Sequence, residues 1–208
     1  MIQTRWVVWM GLGALLLFLA LGAANLFLGD LNQDEGWYLY AAGQVAHGKL
    51  PYRDFAFTQA PLLPLVYSVF TPLVEKQGVL GGRLVTLFMG LAGAGLASWL
   101  AARSVSRKWA ATSALLAFVL IAGNVYQSYF TTVVKTYSLC ALMLMAGLLF
   151  LSFMKSRWGG TACFLSGVLL ALAAGTRISA GIALPIVFFY LVVRRKSLAS
   201  PCWFAFGA

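Results

Sequence analysis

The chain is poor in charge and poorest in negative charge: 10% of its 208 residues are Asp, Glu, Lys or Arg, and only five are acidic. With 62% hydrophobic residues and a mean hydropathy of +0.87, too little polar surface exists to wrap a water-soluble globule of this size. Disorder is excluded by the same count. Cysteine is scarce as well. Three in a chain this long make no disulfide scaffold, and Cys140, Cys163 and Cys202 stand in apolar runs, where cysteine acts as a small apolar residue. His47 is the sole histidine and reads as a surface loop residue, so no His-paired metal site is available. Nucleophilic triads, Walker loops, haem motifs, internal repeats and linkers are all missing. The glycine run Gly90 to Gly95 has no strand before it, and reads as close helix packing through small residues rather than a dinucleotide loop.

What the sequence has in abundance is long apolar runs. These are Trp6 to Leu28, Leu80 to Ala102, Trp109 to Val125, Tyr137 to Met154, Gly160 to Gly175 and Ile178 to Val193, each near the roughly 17 to 25 residues that span hydrocarbon. The first is too long for a cleaved signal peptide and reads as a retained anchor. The expected fold is therefore all-α: one polytopic integral membrane helix bundle with spans at about 6–28, 80–102, 109–125, 137–154, 160–175 and 178–193. A long extracytoplasmic loop covers 29–79, with a juxtamembrane segment at 60–74 rich in proline (Pro61, Pro64, Pro72), which would extend only about 22 Å as a helix. The tail turns apolar again at Pro201 to Phe206, which reads as a further span cut short and a chain truncated at its C-terminus.

Fifteen basic residues give a net charge of +10, but they sit in short clusters between apolar runs, so the excess speaks for membrane orientation and not for nucleic acid. If 60–74 does not cross, the clusters Arg103/Arg107/Lys108, Lys155/Arg157 and Arg194/Arg195/Lys196 share the cytoplasmic face with Arg5 and the N-terminus. The outer face then receives 29–79, a short turn at 126–136 and the corner Thr176 to Ser179. All the acidic residues, Asp30, Asp34, Glu35, Asp54 and Glu75, fall in the first of these. There Asn32 can cap a helix whose first turn holds Asp34 and Glu35, in a variant of the capping box. Asp34, Tyr38, Ala41 and Val45 follow one face, and Trp37 and Tyr40 suit the bilayer interface. The two acids could serve the cap alone.

The order Asp34-Glu35-Gly36-Trp37-Tyr38, then Gly48-Lys49-Leu50-Pro51-Tyr52-Arg53-Asp54, then Gln59-Ala60-Pro61-Leu62, and finally Gly175-Thr176-Arg177 resembles the GT-C glycosyltransferases. The likeness is specifically to the bacterial branch similar to protein O-mannosyltransferases and the lipid A aminoarabinose transferase. The resemblance implies a GT-C type transmembrane module in a bacterial inner membrane. It would transfer a sugar, with inversion, from a polyprenyl-phosphate donor to a hydroxyl of a glycan, lipid or protein acceptor on the extracytoplasmic face. Such chemistry needs a carboxylate to take the acceptor's proton and cations to hold the departing phosphate. Asp34 is the expected base. Glu35 would orient it or help to bind donor, acceptor or a divalent cation, and Tyr38, one turn on, would support it. Arg177 is the foremost phosphate ligand, since a guanidinium between apolar segments is costly unless it meets an anion. Arg53 and Lys135 are further candidates, although Arg53 could form only a solvated loop pair with Asp54 and Lys135 could only flank the fourth span. Gln59 stands where many relatives carry a Lys, and Val134-Lys135-Thr136-Tyr137 occupies a turn where many carry an acid, which leaves donor binding and the use of a divalent cation open; no metal ligand is assigned. Two other readings accompany this one. A non-catalytic membrane scaffold or fragment of the family is one, and a lipid or solute transporter component is the other, although neither paired halves nor midplane charge is evident.

Overall fold

Where the helices start and stop follows from single residues. The computed structural model describes residues 2–194 and 199–208; the side chain of Arg5 and the Arg195/Lys196 part of the last basic cluster lie outside the described residues. Among the described residues the chain forms α1 (Ile2–Leu28), α2 (Gln33–Ala46), α3 (Leu62–Ser68), α4 (Thr71–Gln77), α5 (Val79–Arg103), α6 (Ala110–Ala122), α7 (Val125–Phe130), α8 (Thr136–Leu151), α9 (Gly159–Thr176), a 3-10 turn at Ile178–Ile182, α10 (Ala183–Arg194) and α11 (Ala199–Gly207). Strands are absent among these residues. Trp6–Leu28, Val79–Arg103 and Gly159–Thr176 are long and apolar enough to cross a membrane, while Ala110–Ala122, Thr136–Leu151 and Ile178–Arg194 are apolar but shorter. This is an all-helical membrane protein.

The apolar helices pack in the spatial order α1, α6, α5, α8, α9, with α11 on the far side of α9. Small residues set the close approaches. A Cβ on Gly90 would lie 2.6 Å from Thr131 Cβ, and one on Gly93 3.6 Å from Leu142 Cα, so the glycine run of α5 lets the 131–135 segment and α8 come close, as its composition suggested. Gly167 of α9 and Gly207 of α11 are likewise pressed against each other's helix, so the apolar tail forms a short helix docked on α9. Helix α1 is peripheral, with 11% of its apolar window buried, and it turns Trp6, Trp9 and Leu16 outward, where lipid is the natural solvent.

Segment 60–74 breaks into two helices because Pro72 has no N–H to donate and favours the first turn of a new helix, which starts at Thr71. Each piece has seven residues and extends about 10 Å, so neither can cross by itself. The stretch 29–79 is therefore no free loop. Tyr38, Leu39, Ala41 and Ala42 of α2 join Phe57, Leu63 and Tyr67 in one apolar cluster with Val85 and Met89 of α5 and Val134 and Leu139 beside them. Trp37 is half-buried against this cluster, and its ring stacks on Phe57 at 4.6 Å and 17°. The turn expected at 126–136 is also more structured, because Asn124 accepts the Gln127 N–H at 3.0 Å and starts α7.

The bundle has two chemically distinct ends. At one, Arg103 Nε donates to Ser152 Oγ at 2.8 Å and its guanidinium lies 3.7 Å over the Phe153 ring. At the other, Asn25 Nδ2 donates to Ser128 Oγ at 2.9 Å and Asn32 Nδ2 to Tyr129 Oη at 3.0 Å. With the expected orientation, a cysteine introduced at Asn32 reacts with an impermeant thiol reagent in intact cells, and cysteines at Ser106 and Ser156 do not. Labelling at Ser106 with Asn32 silent would invert the topology.

Candidate functional site

The site is built from the N-terminus of α2. Asn32, extended at φ −91° and ψ 131°, accepts the Asp34 N–H on its side-chain oxygen at 3.1 Å, and its own N–H donates to Glu35 Oε2 at 3.1 Å. This is the expected capping box. Consecutive helix residues point about 100° apart, so the cap sends the two carboxylates different ways. The Asp34 side chain is 54% exposed and that of Glu35 is 1% exposed.

Glu35 meets Arg83, a residue that the sequence reading did not single out. Arg83 Nε donates to Glu35 Oε1 at 2.8 Å and Nη2 to Oε2 at 2.7 Å, a bidentate pair. The remaining donors reach main-chain carbonyls where α1 ends: Nη1 to Asn25 at 3.0 Å and Gly29 at 3.1 Å, Nη2 to Asp30 at 2.8 Å. All five N–H groups of the guanidinium are thus used. Glu35 also accepts the Val134 N–H at 3.1 Å on Oε1. Burial by itself would push the Glu35 carboxyl upward, but the hydrogen bonds from Arg83, Asn32 and Val134 outweigh it and hold the group below its usual 4.5.

With Val134 fixed, its neighbour Lys135 is delivered to Asp34, and Lys135 Nζ lies 2.9 Å from Asp34 Oδ2. That contact raises the Lys135 pKa and keeps the ammonium charged. Past Lys135 the chain enters α8, and Thr136 and Tyr137 face the last component. Arg177 is extended at φ −146° and ψ 112° between α9 and the 3-10 turn. Its Nε donates to Ser179 Oγ at 3.1 Å, Nη1 to Thr136 Oγ1 at 3.4 Å, and its guanidinium lies 4.5 Å from the Tyr137 ring centre. Among the described residues it has no acidic partner within ion-pair distance.

These groups line one open pocket of about 390 Å³: Asp34 and Tyr38 from α2, Gln59 from the segment before α3, Lys135, Thr136 and Tyr137 from the start of α8, and Arg177, Ile178 and Ser179 from the corner after α9. The volume lies within the roughly 300–1,000 Å³ typical of small-molecule sites. Burial, and next the Asp34 carboxylate, raise the Tyr38 pKa above its usual 10.0, so the phenol keeps its proton. Gln59 is held by the turn before it. Tyr52 takes a left-handed backbone (φ 68°), donates its N–H to the Phe55 carbonyl at 3.0 Å, and hydrogen-bonds through its hydroxyl to the Gln59 carbonyl.

Of the residues expected at the site, Asp34, Tyr38, Gln59, Lys135 and Arg177 come together, although they lie far apart in sequence. Two do not join them. Glu35 is fully buried with both oxygens occupied, so it is not a surface that donor, acceptor or metal could touch. Arg53 pairs with its neighbour Asp54 at 2.8 Å in an exposed turn, where Asp54 also accepts the Leu50 N–H at 2.7 Å and its pKa falls to about 2. The residues do not fit a resident divalent cation either. A hard cation needs several free oxygens; the Asp34 carboxylate is paired with Lys135, Glu35 is spent on Arg83, and no group of three His, Cys, Asp or Glu stands together among the described residues. His47 caps α2, its Nδ1 2.7 Å from the Gly43 carbonyl oxygen. The signal that could have found Arg83 was present: an ionisable residue near the start of an apolar run demands a buried partner.

The chain matches no protein-family model, no curated protein and no solved structure.

Removing one member of a buried, hydrogen-bonded ion pair leaves the other uncompensated, at a typical loss of about 3–5 kcal/mol. Arg83→Leu should lower the melting temperature in detergent sharply, and Glu35→Leu placed on top of it should recover part of the loss. Equal melting temperatures for wild type and Arg83→Leu would remove the pair from this role. Because the folded pKa of Glu35 lies below its unfolded value, its contribution is complete above about pH 4.5 and is lost as pH falls through the folded value. Melting temperature should therefore decline on that acid limb, and Glu35→Gln should flatten the decline.

Proposed function

We propose that this chain is a membrane glycosyltransferase that moves a sugar, with inversion, from a polyprenyl-phosphate carrier to an acceptor hydroxyl at the extracytoplasmic face of a bacterial inner membrane. The observation that carries the reading is the shared pocket of Asp34, Lys135 and Arg177. A carboxylate beside two cations, with hydroxyl and amide groups around them, has the composition that this transfer requires. The resemblance of the loop motifs to the GT-C family, which includes Asp34, Tyr38, Gln59 and Arg177 of this pocket, supports the same reading.

In this mechanism the acceptor oxygen attacks the anomeric carbon from the face opposite the phosphate and forms the new C–O bond. Asp34 takes the acceptor's proton as that bond forms. The bond between the anomeric carbon and the phosphate oxygen breaks, and its electron pair leaves with the polyprenyl phosphate. The charge that grows on that phosphate is met by Arg177 and Lys135, with Gln59 as a neutral hydrogen-bond partner. Tyr38, which retains its proton, can donate to a sugar or phosphate oxygen. Glu35 acts as a positioning residue, since through Arg83 and Val134 it sets where Asp34 and Lys135 stand. Arg53 has no part in the transfer. The acceptor class, whether glycan, lipid or protein, is set by whatever covers the open side of the pocket.

The test is sugar transfer in membranes from a labelled polyprenyl-phosphate sugar. Asp34→Asn should reduce kcat by about 10²–10⁴-fold, the range for loss of a general base. Arg177→Ala should raise the KM for donor more than that for acceptor. Turnover unchanged in Asp34→Asn would favour a scaffold without chemistry at this pocket, and an Arg177→Ala enzyme with unaltered donor dependence would leave that guanidinium as a ligand of membrane headgroups.

A further inference from the structure

The base and one of the phosphate-holding cations of the proposed site are bound to each other. Lys135 Nζ stands 2.9 Å from Asp34 Oδ2, which leaves Asp34 engaged as a base and Lys135 engaged as an anion ligand. The two partners are unequally anchored. The Lys135 side chain is 18% exposed, and its backbone is set by the neighbouring Val134 N–H on Glu35; the Asp34 side chain is 54% exposed. Beside them Arg177 faces the same pocket without an acidic partner among the described residues.

We infer that the Asp34–Lys135 pair is a latch released by phosphate: a phosphate-bearing ligand takes Lys135 from Asp34, and that exchange frees the carboxylate to act. The inference rests on the donor-phosphate reading of this pocket. The phosphodiester of a polyprenyl-phosphate sugar carries one negative charge, as a carboxylate does, but its two free oxygens can engage Lys135 and Arg177 together where Asp34 engages Lys135 alone, and the monoester that departs carries more charge still. An ion pair this exposed is weak enough to be exchanged. The movement needed is small. Asp34 swings about its own side-chain bonds on the open side of α2, while the Asn32 cap and the Glu35–Arg83 pair keep the backbone in place. The released Asp34 is then unpaired beside the reacting centre, and donor must bind before the base is available.

The experiment measures binding of dodecyl phosphate, by calorimetry or phosphorus NMR, to the full chain in zwitterionic nanodiscs. Four proteins are compared: wild type, Asp34→Asn, Lys135→Gln and the double variant, each with its melting temperature recorded. Through-space repulsion gives Asp34→Asn some gain in either background. A latch adds to it only when Lys135 is present, so the gain should be about three- to fivefold larger with Lys135 than with Lys135→Gln, the scale of an exposed ion pair. Lys135→Arg, which conserves the charge, should restore the larger gain. Equal gains in both backgrounds overturn the latch while the phosphate site stands. Dodecyl phosphate that binds none of the proteins overturns both.

Discussion

Burying a guanidinium among apolar helices is tolerable only when every donor is met, and Arg83 meets that condition with two carboxylate oxygens and three main-chain carbonyls. The arrangement does more than neutralise a charge. The carbonyls that Arg83 collects lie at and just beyond the end of α1, where a helix leaves its last C=O groups unpaired. Glu35 in turn collects donors from the cap of α2 and from the turn before α8. One ion pair thus ties the end of α1, the start of α2, the first turn of α5 and the 131–135 segment. Such pairs add little stability over well-packed apolar residues, and their documented use is in fixing register. Here the register matters, because Asp34 follows from Glu35 by one residue and Lys135 from Val134 by one residue.

The adjacent carboxylates divide the work. A single acid at a capped helix start would serve either the core or the solvent, and the 100° step between neighbours lets the pair serve both. Glu35 has the longer side chain and reaches inward to Arg83; Asp34 is shorter and stays at the mouth of the pocket. The cap itself is shared, since Asn32 holds the Asp34 N–H while Glu35 holds the Asn32 N–H. A buried and an exposed carboxylate are therefore adjacent in sequence and point different ways.

Much of this could be read from the residues. The capping box, the apolar runs and the failure of 60–74 to make one long helix follow from Asn32, Glu35 and Pro72. The motif order brought Asp34, Tyr38, Gln59 and Arg177 into consideration, Lys135 was a further candidate from a turn that departs from that order, and all of them share a pocket. That Arg83 needs a buried partner was legible from its place in an apolar run, but not that the partner is Glu35, 48 positions away, since only tertiary packing joins them. Arg53 instead forms the exposed pair with its neighbour Asp54 that their adjacency already offered. The stack of Trp37 on Phe57 was not legible either, since 20 positions separate the two rings.

The pocket lies where the short apolar helices stop being α-helical. Helix α6 gives way at Gly123 to the cap of α7, α8 is preceded by the turns of 131–135, and α10 is preceded by the 3-10 turn after Arg177. At 13, 16 and 12 residues these helices extend about 20, 24 and 18 Å, short of a hydrocarbon layer of about 30 Å. Backbone that is not helical is tolerated at that depth only when it is buried in protein or lines a polar cavity. The segments around Lys135 and Arg177 satisfy that demand by building the cavity. Thr136 and Ser179 line it beside the two cations. The cavity is open, so an anion that enters it meets Lys135 and Arg177 together.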